Sequence, residues 1–261
     1  MTQLTDPADR QDLSNKQFVL ATDLDGTFLG GSAGARADLY EWIGNNRDTV
    51  GLIFVTGRDP GFISDLTRNG DVPRPDYVVG DVGTTIAAVG ADHVLTPIRT
   101  LEAEIAAAWN DAGPRVHDAL ADIDGLRRQP TGFRYRVSYD MDPDRFDRAA
   151  LRIVAGLGLD ALVSDNRYFD VLPKGISKGP SLSRLLVHLG VAPERCLVAG
   201  DTLNDLSMLS LGVPAVAVGN SEQGLIAALA GQDHVHFATG EGAAGIAEAI
   251  LALDLLHRNA A

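Results

Sequence analysis

Acidic side chains that could bind a metal or attack phosphorus lie at two distant places in the sequence. Asp23 and Asp25 follow the apolar run 18–21 and precede a Gly-Thr pair. Asp and Gly are poor strand formers, so this ending is unusual for packing alone. A simple Asp-Gly turn would explain it equally well. A second acidic group at 201–205 also follows an apolar run. This repetition favours a chemical role for Asp23 and Asp25 over a simple turn.

Polar groups of this kind follow three predicted strands and begin one predicted helix. They are Asp23 with Asp25, Thr56, Lys178, and Asp201 with Asn204 and Asp205. Ligands bind at the carboxyl ends of parallel strands, and helix N-termini attract anions. Clustered carboxylates repel a phosphate, and Mg²⁺ removes that conflict. The pattern predicts phosphate chemistry with one carboxylate as nucleophile and a second as general acid and base. Thr56 and Lys178 would hold the phosphate oxygens.

Alternating strand and helix patterns predict the elements that bring these groups together. Apolar runs predict buried strands near residues 18–21, 51–55, 77–79, 196–199 and 215–218. Apolar residues at helical spacing separate most of these runs. The alternation predicts an α/β fold with a doubly wound, parallel, Rossmann-like sheet.

The middle of the chain has a different pattern. From residue 133 to 139, aromatic and apolar residues alternate with polar ones, which is typical of a half-exposed antiparallel strand. We therefore predict an inserted α+β cap domain at 95–173. The discontinuous core would comprise 17–94 and 174–261, after a poorly ordered leader at 1–16.

Composition limits the class of partner. The 261 residues carry a formal net charge of −13, which disfavours binding to nucleic acid or an anionic membrane surface. No run is long and apolar enough to predict a membrane span, and no signal-peptide core is present. Cys196 is the single cysteine, so an intramolecular disulfide is excluded. We expect a cytoplasmic protein, a monomer or weak homodimer, that acts on a small molecule.

The four motifs together resemble those of the haloacid dehalogenase superfamily of phosphatases, in the same order. They are Asp23-Leu-Asp-Gly-Thr27, Thr56-Gly-Arg58, Lys178 and Gly200-Asp-Thr-Leu-Asn-Asp205. The insertion resembles the α/β cap of the Cof-like branch, subfamily IIB, which dephosphorylates sugar phosphates. Stretches such as Asp170-Val-Leu-Pro173 are similar to the sucrose-6-phosphate phosphatase family.

The resemblance implies a role for each motif residue. Asp23 would be the nucleophile and Asp25 the general acid and base. Asp23, the backbone carbonyl of Asp25, and Asp201 would bind Mg²⁺. Further residues would support the metal or hold the phosphate: Thr56, Gly57, Lys178, Asn204 and Asp205.

The sugar is expected to contact the predicted cap and the loop after the third strand. The related phosphatases usually carry Glu directly after the Gly-Thr of this loop, where this chain has Thr85. Loss of a charged acceptor predicts looser selectivity among sugar phosphates, and Thr85→Glu should sharpen it by about 10-fold. The candidate substrate residues are Arg58, Gly83, Thr84, Thr85, Arg134, Arg136, Tyr139 and Lys174.

The predicted function is Mg²⁺-dependent hydrolysis of a phosphorylated sugar through an aspartyl-phosphate, with sucrose-6-phosphate as the example. Other phosphatase substrates are mannosylfructose-phosphate and glucosyl- or mannosyl-3-phosphoglycerate. A phosphosugar mutase is an alternative enzyme, and isomerised sugar phosphate would identify it. A sugar-phosphate sensor is the alternative without catalysis, and phosphate release would exclude it.

Overall fold

The computed structural model describes residues 12–130 and 132–255, in which strands and helices alternate. The strands are β1 (Phe18–Thr22), β2 (Val50–Val55), β3 (Tyr77–Gly80), β4 (Thr85–Val89), β5 (Leu95–Pro97), β6 (Leu126–Arg128), β7 (Val137–Met141), β8 (Leu159–Ser164), β9 (Tyr168–Pro173), β10 (Cys196–Gly200), β11 (Ala215–Ala217) and β12 (Val235–Phe237). The α-helices are α1 (Ala33–Asn45), α2 (Pro60–Arg68), α3 (Arg99–Trp109), α4 (Gly113–Leu120), α5 (Ala149–Gly156), α6 (Lys178–Leu189), α7 (Leu206–Leu209), α8 (Gln223–Leu229) and α9 (Ala243–Ala252).

The larger sheet has eight strands in the order β12-β11-β10-β1-β2-β3-β4-β5. The strands from β12 to β3 run parallel, whereas β4 and β5 add antiparallel strands at one edge. β1 lies in the middle and is buried throughout, which its continuous apolar run predicts. The predicted α/β class with a parallel, doubly wound sheet is confirmed.

Helices cover both faces of this sheet. Apolar residues of α3, α6, α7 and α8 pack on one face, and those of α1, α2 and α9 pack on the other. Strand side chains alternate between the two clusters, as Val19 and Leu20 do. Two helical layers therefore bury the sheet and leave the strand ends to carry polar residues.

The smaller sheet is antiparallel and has four strands in the order β6-β7-β9-β8. Val137, Tyr139 and Phe169 point to one face and pack against α4 and α5 in a separate apolar cluster. Arg136, Ser138 and Asp170 alternate with these residues, so they lie on the opposite side of the pleat.

Three predictions differ from the structure. The predicted cap boundary at residue 95 is wrong for β5, because this strand pairs with β4 in the larger sheet. The predicted leader is ordered at its end, since Leu13 is fully buried in the core; residues 1–11 lie outside the described residues. The predicted strand 133–139 begins only at Val137, because the pairing of β7 with β9 ends at Val137 and Val171.

Among residues 12–130 and 132–255, no helix combines the length and apolar character needed to cross a membrane.

Candidate active site

The carboxyl ends of neighbouring strands bring the acidic motifs together. β1 lies between β2 and β10, with Thr22 opposite both Phe54 and Ala199. The Asp23 N–H donates to the Ala199 carbonyl at 2.9 Å, so the chain leaves β1 directly beside β10. Asp23 and Asp201 consequently meet at one edge of the sheet although the sequence separates them widely.

Three buried carboxylates form the centre of the site. Asp23, Asp201 and Asp205 each offer an oxygen within 4.8 Å of the others. Burial, with the charge of Asp205 nearby, raises the pKa of Asp23 to about 8 even though Lys178 opposes the shift. Burial raises the pKa of Asp201 to about 7 as well. Raised pKa values mean that this pocket holds more negative charge than it can stabilise unaided, so it can hold a cation.

Lys178 supplies the positive charge that the structure itself contributes. Its Nζ donates to Asp23 Oδ1 at 2.6 Å, to Asp205 Oδ1 at 2.6 Å and to Asn204 Oδ1 at 2.7 Å. Burial would lower the pKa of Lys178, but Asp205 and Asp23 outweigh it and raise the pKa. Lys178 is the first residue of α6, so the helix N-terminus adds to the positive potential.

Asp205 fixes the positions of its neighbours through hydrogen bonds and has little capacity left to bind a metal. Its Oδ2 accepts from the N–H groups of Asp201 and Thr202, both at 3.0 Å, while Oδ1 accepts from Lys178. A Cβ at Gly200 would lie 2.6 Å from the Asp205 Cβ, so only glycine permits this turn. Both oxygens of Asp205 are therefore engaged.

In Asp201, one carboxylate oxygen accepts a short hydrogen bond and the other has only a long contact. Its Oδ1 accepts from the Thr27 hydroxyl at 2.7 Å, and Asn220 lies 3.5 Å from Oδ2. Gly26 has a φ of +79°, and a Cβ there would lie 2.1 Å from Asp201 Oδ2. The Asp-Gly turn after β1 is thus needed both for its backbone conformation and for the close approach of Asp201. Asp201 and Asp23 are the residues best placed to bind a cation.

Asp25 faces the second motif. Arg58 binds its carboxylate through two hydrogen bonds, Nε to Oδ2 and Nη2 to Oδ1, both 2.8 Å long. Both side chains are about half exposed, at 47% and 53%. Thr56 is fully buried, and its hydroxyl accepts from the Arg58 N–H at 3.1 Å. The structure therefore places an oriented, solvent-accessible carboxylate beside the buried acidic centre.

The predicted substrate loop is closed on itself. Thr84 and Thr85 are 1% and 2% exposed, and the Thr84 hydroxyl donates to the Asp81 carbonyl at 2.9 Å. The Thr85 hydroxyl donates to Asp81 Oδ2 at 2.7 Å. Both hydroxyls therefore donate within the loop, and their contact with a sugar stays a prediction. Gly83 touches the start of α6, where a Cβ would lie 2.4 Å from the Ser177 carbonyl.

The two predicted arginines connect the smaller sheet to this loop. Arg134 binds Glu102 with two contacts of 2.7 Å and donates to the Thr85 hydroxyl at 3.2 Å. The Arg136 side chain is 6% exposed; it donates to Asp170 at 3.0 Å and to the Gly57 carbonyl at 3.2 Å. Arg136 therefore contacts Gly57 of the second motif, and Arg134 connects Glu102 of α3 to Thr85 at the start of β4.

Two other predicted substrate residues lie elsewhere. Tyr139 is 4% exposed and packs against Phe169 in the smaller sheet's apolar cluster, because its position in the pleat directs it away from Arg136. Lys174 is exposed and pairs with Asp160 at 2.6 Å. The packing of Tyr139 in that cluster contradicts its predicted contact with the substrate, whereas the predicted role of Lys174 stays a prediction.

Three residues of this region were not selected from the sequence. Asp81 follows β3 as Asp23 follows β1, so a strand-end signal was available. Asp170 lies within a stretch that carries the family resemblance, but only its partners reveal a polar role. Glu102 looks like an ordinary helical acid, and nothing local in the sequence indicates its partner Arg134.

Comparisons with known proteins give matches along most of the chain. The family model described as sucrose-6F-phosphate phosphohydrolase matches residues 16–253. A glucosylglycerol-phosphate synthase of Pseudomonas anguilliseptica is 39% identical over 92% of this chain, which spans 31% of that relative's length. The mannosylfructose-phosphate phosphatase of Agrobacterium fabrum is 31% identical, over 89% of this chain and 95% of its own length.

A solved structure shows the same fold. The sucrose-phosphatase of Synechocystis sp. PCC6803, in complex with sucrose and phosphate, superposes with a TM-score of 0.81. The match covers 92% of this chain and 98% of that one, at 24% identity.

Proposed function

The chain belongs to the sucrose-6F-phosphate phosphohydrolase family of the haloacid dehalogenase superfamily, a family of phosphatases, and we propose that it hydrolyses the phosphate monoester of a small glycoside. The observation that carries this proposal is the buried contact of Asp23 with Lys178 beside Asp201. A nucleophilic carboxylate, a fixed cation and a second acid lie where a phosphate could meet all three.

The first step uses the two aspartates of the first motif. A carboxylate oxygen of Asp23 attacks phosphorus while the bond from phosphorus to the glycoside oxygen breaks. Asp25 gives its proton to that leaving oxygen. Lys178 and Thr56 hold the phosphate oxygens as negative charge redistributes among them.

The second step restores the enzyme. Asp25, now a carboxylate, takes a proton from water as the water oxygen attacks phosphorus. The bond from phosphorus to Asp23 breaks, inorganic phosphate leaves, and Asp25 is protonated again. Arg58 orients Asp25 through its paired hydrogen bonds.

The acidic centre fits a divalent cation. Asp23 and Asp201 would hold Mg²⁺, together with the Asp25 carbonyl by the family resemblance. Their raised pKa values and hard oxygen donors suit that ion. The bound ion would neutralise the charge of the carboxylates and the phosphate.

Relatives suggest the substrate class. Their names refer to glucosylglycerol-phosphate, mannosylfructose-phosphate and sucrose, each a glycosyl unit joined to a second hydroxyl-rich unit. Glucosylglycerol phosphate is our first candidate, because the relative named for it has the highest identity of these three. Sucrose-6-phosphate and mannosylfructose-phosphate are the next.

A phosphate-release screen tests the proposal. The purified chain would be incubated with these three compounds and with glucose-6-phosphate, fructose-6-phosphate and p-nitrophenyl phosphate, with Mg²⁺ and with EDTA. We expect Mg²⁺-dependent release and the highest kcat/KM for a two-unit glycoside. Isomerised sugar phosphate without phosphate release would identify a mutase. Binding of sugar phosphate without any turnover would identify a sensor.

A further inference from the structure

Asp81 holds a carboxylate oxygen that is buried but not hydrogen-bonded. Its Oδ2 accepts from the Thr85 hydroxyl at 2.7 Å. Among the described residues, Oδ1 has no hydrogen-bond partner, and the nearest cation, the Arg136 Nη2, lies 3.6 Å away. Burial raises the pKa of Asp81, and the Thr85 hydrogen bond and Arg136 oppose that shift. An acceptor left unpaired inside a protein is costly and calls for a partner.

Arg136 has the complementary deficit. Its Nη1 binds Asp170 and its Nη2 binds the Gly57 carbonyl, but its Nε is buried without a hydrogen-bond partner among the described residues. The guanidinium also stacks on Phe133 at 3.6 Å, which fixes its plane. An unpaired donor and an unpaired acceptor thus lie on contacting residues, one directly after β3 and one directly before β7. A hydroxyl placed at Asp81 Oδ1 would donate to it and keep its own oxygen free to accept from a neighbouring donor.

The backbone around Asp81 is strained in a way that serves this placement. Asp81 and Val82 have φ of +51° and +59°, and a positive φ is rare for a β-branched residue such as Val82. The Asp81 N–H donates to the Arg58 carbonyl at 3.0 Å, and the Val82 N–H donates to the Thr56 carbonyl at 3.1 Å. Strain of this kind persists where the surroundings impose it, and it concentrates at functional sites. The loop is therefore clamped onto the motif that holds the phosphate.

We propose that Asp81 determines sugar specificity by accepting a hydrogen bond from a hydroxyl of the glycoside, with Arg136 as the donor beside it. The inference rests on the proposed function. By the family resemblance, the related phosphatases usually carry Glu directly after Gly-Thr, where this chain has Thr85. In this chain the carboxylate lies four positions earlier, and the residue at 85 holds it in place. Thr85 then acts through Asp81 as a positioning residue.

The test compares a glycoside phosphate with a phosphate monoester that has no sugar. The measured quantity is the ratio of kcat/KM for glucosylglycerol phosphate to kcat/KM for p-nitrophenyl phosphate. For Asp81→Asn we expect this ratio to fall by about 10-fold or more, because a charged acceptor is lost. Thr85→Val removes the hydroxyl at nearly constant shape and should lower the ratio in the same direction, whereas Thr85→Ser should retain it. Asp118→Asn, a substitution at an exposed acid in α4, is the matched control.

Analogues identify the hydroxyl. Glycoside phosphates lacking one hydroxyl at a time should reveal one position whose loss costs the wild-type enzyme most. Asp81→Asn should show no further loss on that analogue. An unchanged ratio would overturn the inference in either of two forms. Equal losses on both substrates would assign Asp81 a structural role, and no loss on either would assign it none.

A second readout keeps the inference separate from the proposed function. If the wild-type protein hydrolyses p-nitrophenyl phosphate but no glycoside phosphate, the proposed function fails. Unphosphorylated glucosylglycerol, sucrose and mannosylfructose would then be tested as competitive inhibitors. Weaker inhibition of Asp81→Asn than of the wild type would support the role of Asp81. The same inhibition of both proteins, or none, would overturn it.

Discussion

Replacing Lys178 tests the electrostatic core of the site. Its side chain is 1% exposed and lies 2.6 Å from both Asp23 and Asp205. Lys178→Met would leave these two carboxylates without their buried countercharge. Breaking a buried ion pair from one side costs about 3–5 kcal/mol of stability. Losing a charge-assisted contact to the reacting phosphate should lower kcat by about 10²-fold or more.

Lys174→Met is the matched control for this substitution. Lys174 is 73% exposed, and its pair with Asp160 lies at the surface. Pairs of this kind contribute about 0–1 kcal/mol, so stability should change little. Lys174 pairs with Asp160 at the surface and not with a carboxylate of the acidic centre. We therefore expect kcat to remain close to that of the wild type.

Two measurements separate folding from catalysis. Urea unfolding followed by fluorescence reports the stability of each variant, and phosphate release at saturating substrate reports kcat on protein shown to be folded. Lys178→Arg adds a variant that keeps the charge but not the shape, and it should be more stable than Lys178→Met. A larger kcat loss in Lys174→Met than in Lys178→Met would refute the assignment of the phosphate lysine.

Three further predictions concern the acidic residues. Asp23→Asn should form no phosphoenzyme, whereas Asp25→Asn should accumulate one from p-nitrophenyl phosphate; mass spectrometry of the quenched proteins checks this, and an adduct on Asp23→Asn would reject the roles. Phosphate release should cease after exhaustive EDTA treatment and return with Mg²⁺, and undiminished release would contradict the proposed metal. Burial raises the pKa of Asp23 to about 8 and that of Asp201 to about 7 from 3.8, so without metal the folded state retains protons that the unfolded chain has lost. The free energy of unfolding in EDTA should therefore fall as pH rises from about 4 to about 8, and greater stability at pH 8 in urea titrations would contradict this.

The sequence alone was sufficient for the parallel sheet and for the meeting of the acidic motifs. Apolar runs predict buried strands, and the carboxyl ends of parallel neighbours lie at one edge. Asp23 and Asp201 directly follow the neighbouring parallel strands β1 and β10, so their meeting could be predicted from the sequence. Asp81 follows β3 in the same way, so the local sequence signal was present there too. The φ of +51° at Asp81 and its hydrogen-bond partners could not be read from the sequence.

Only the tertiary structure decided which of the polar residues between the two sheets are buried and which partners they have. The pattern from 133 to 139 placed its polar residues on a solvated face, yet Arg136 is buried, because the larger sheet covers that face with Gly57 and Asp81. Thr85 and Arg134 bond across 49 residues of sequence, and no periodicity within either segment encodes that pairing. Strand ends follow from local patterns that repeat along the chain, whereas the contacts between the two sheets depend on how separately folded segments pack together.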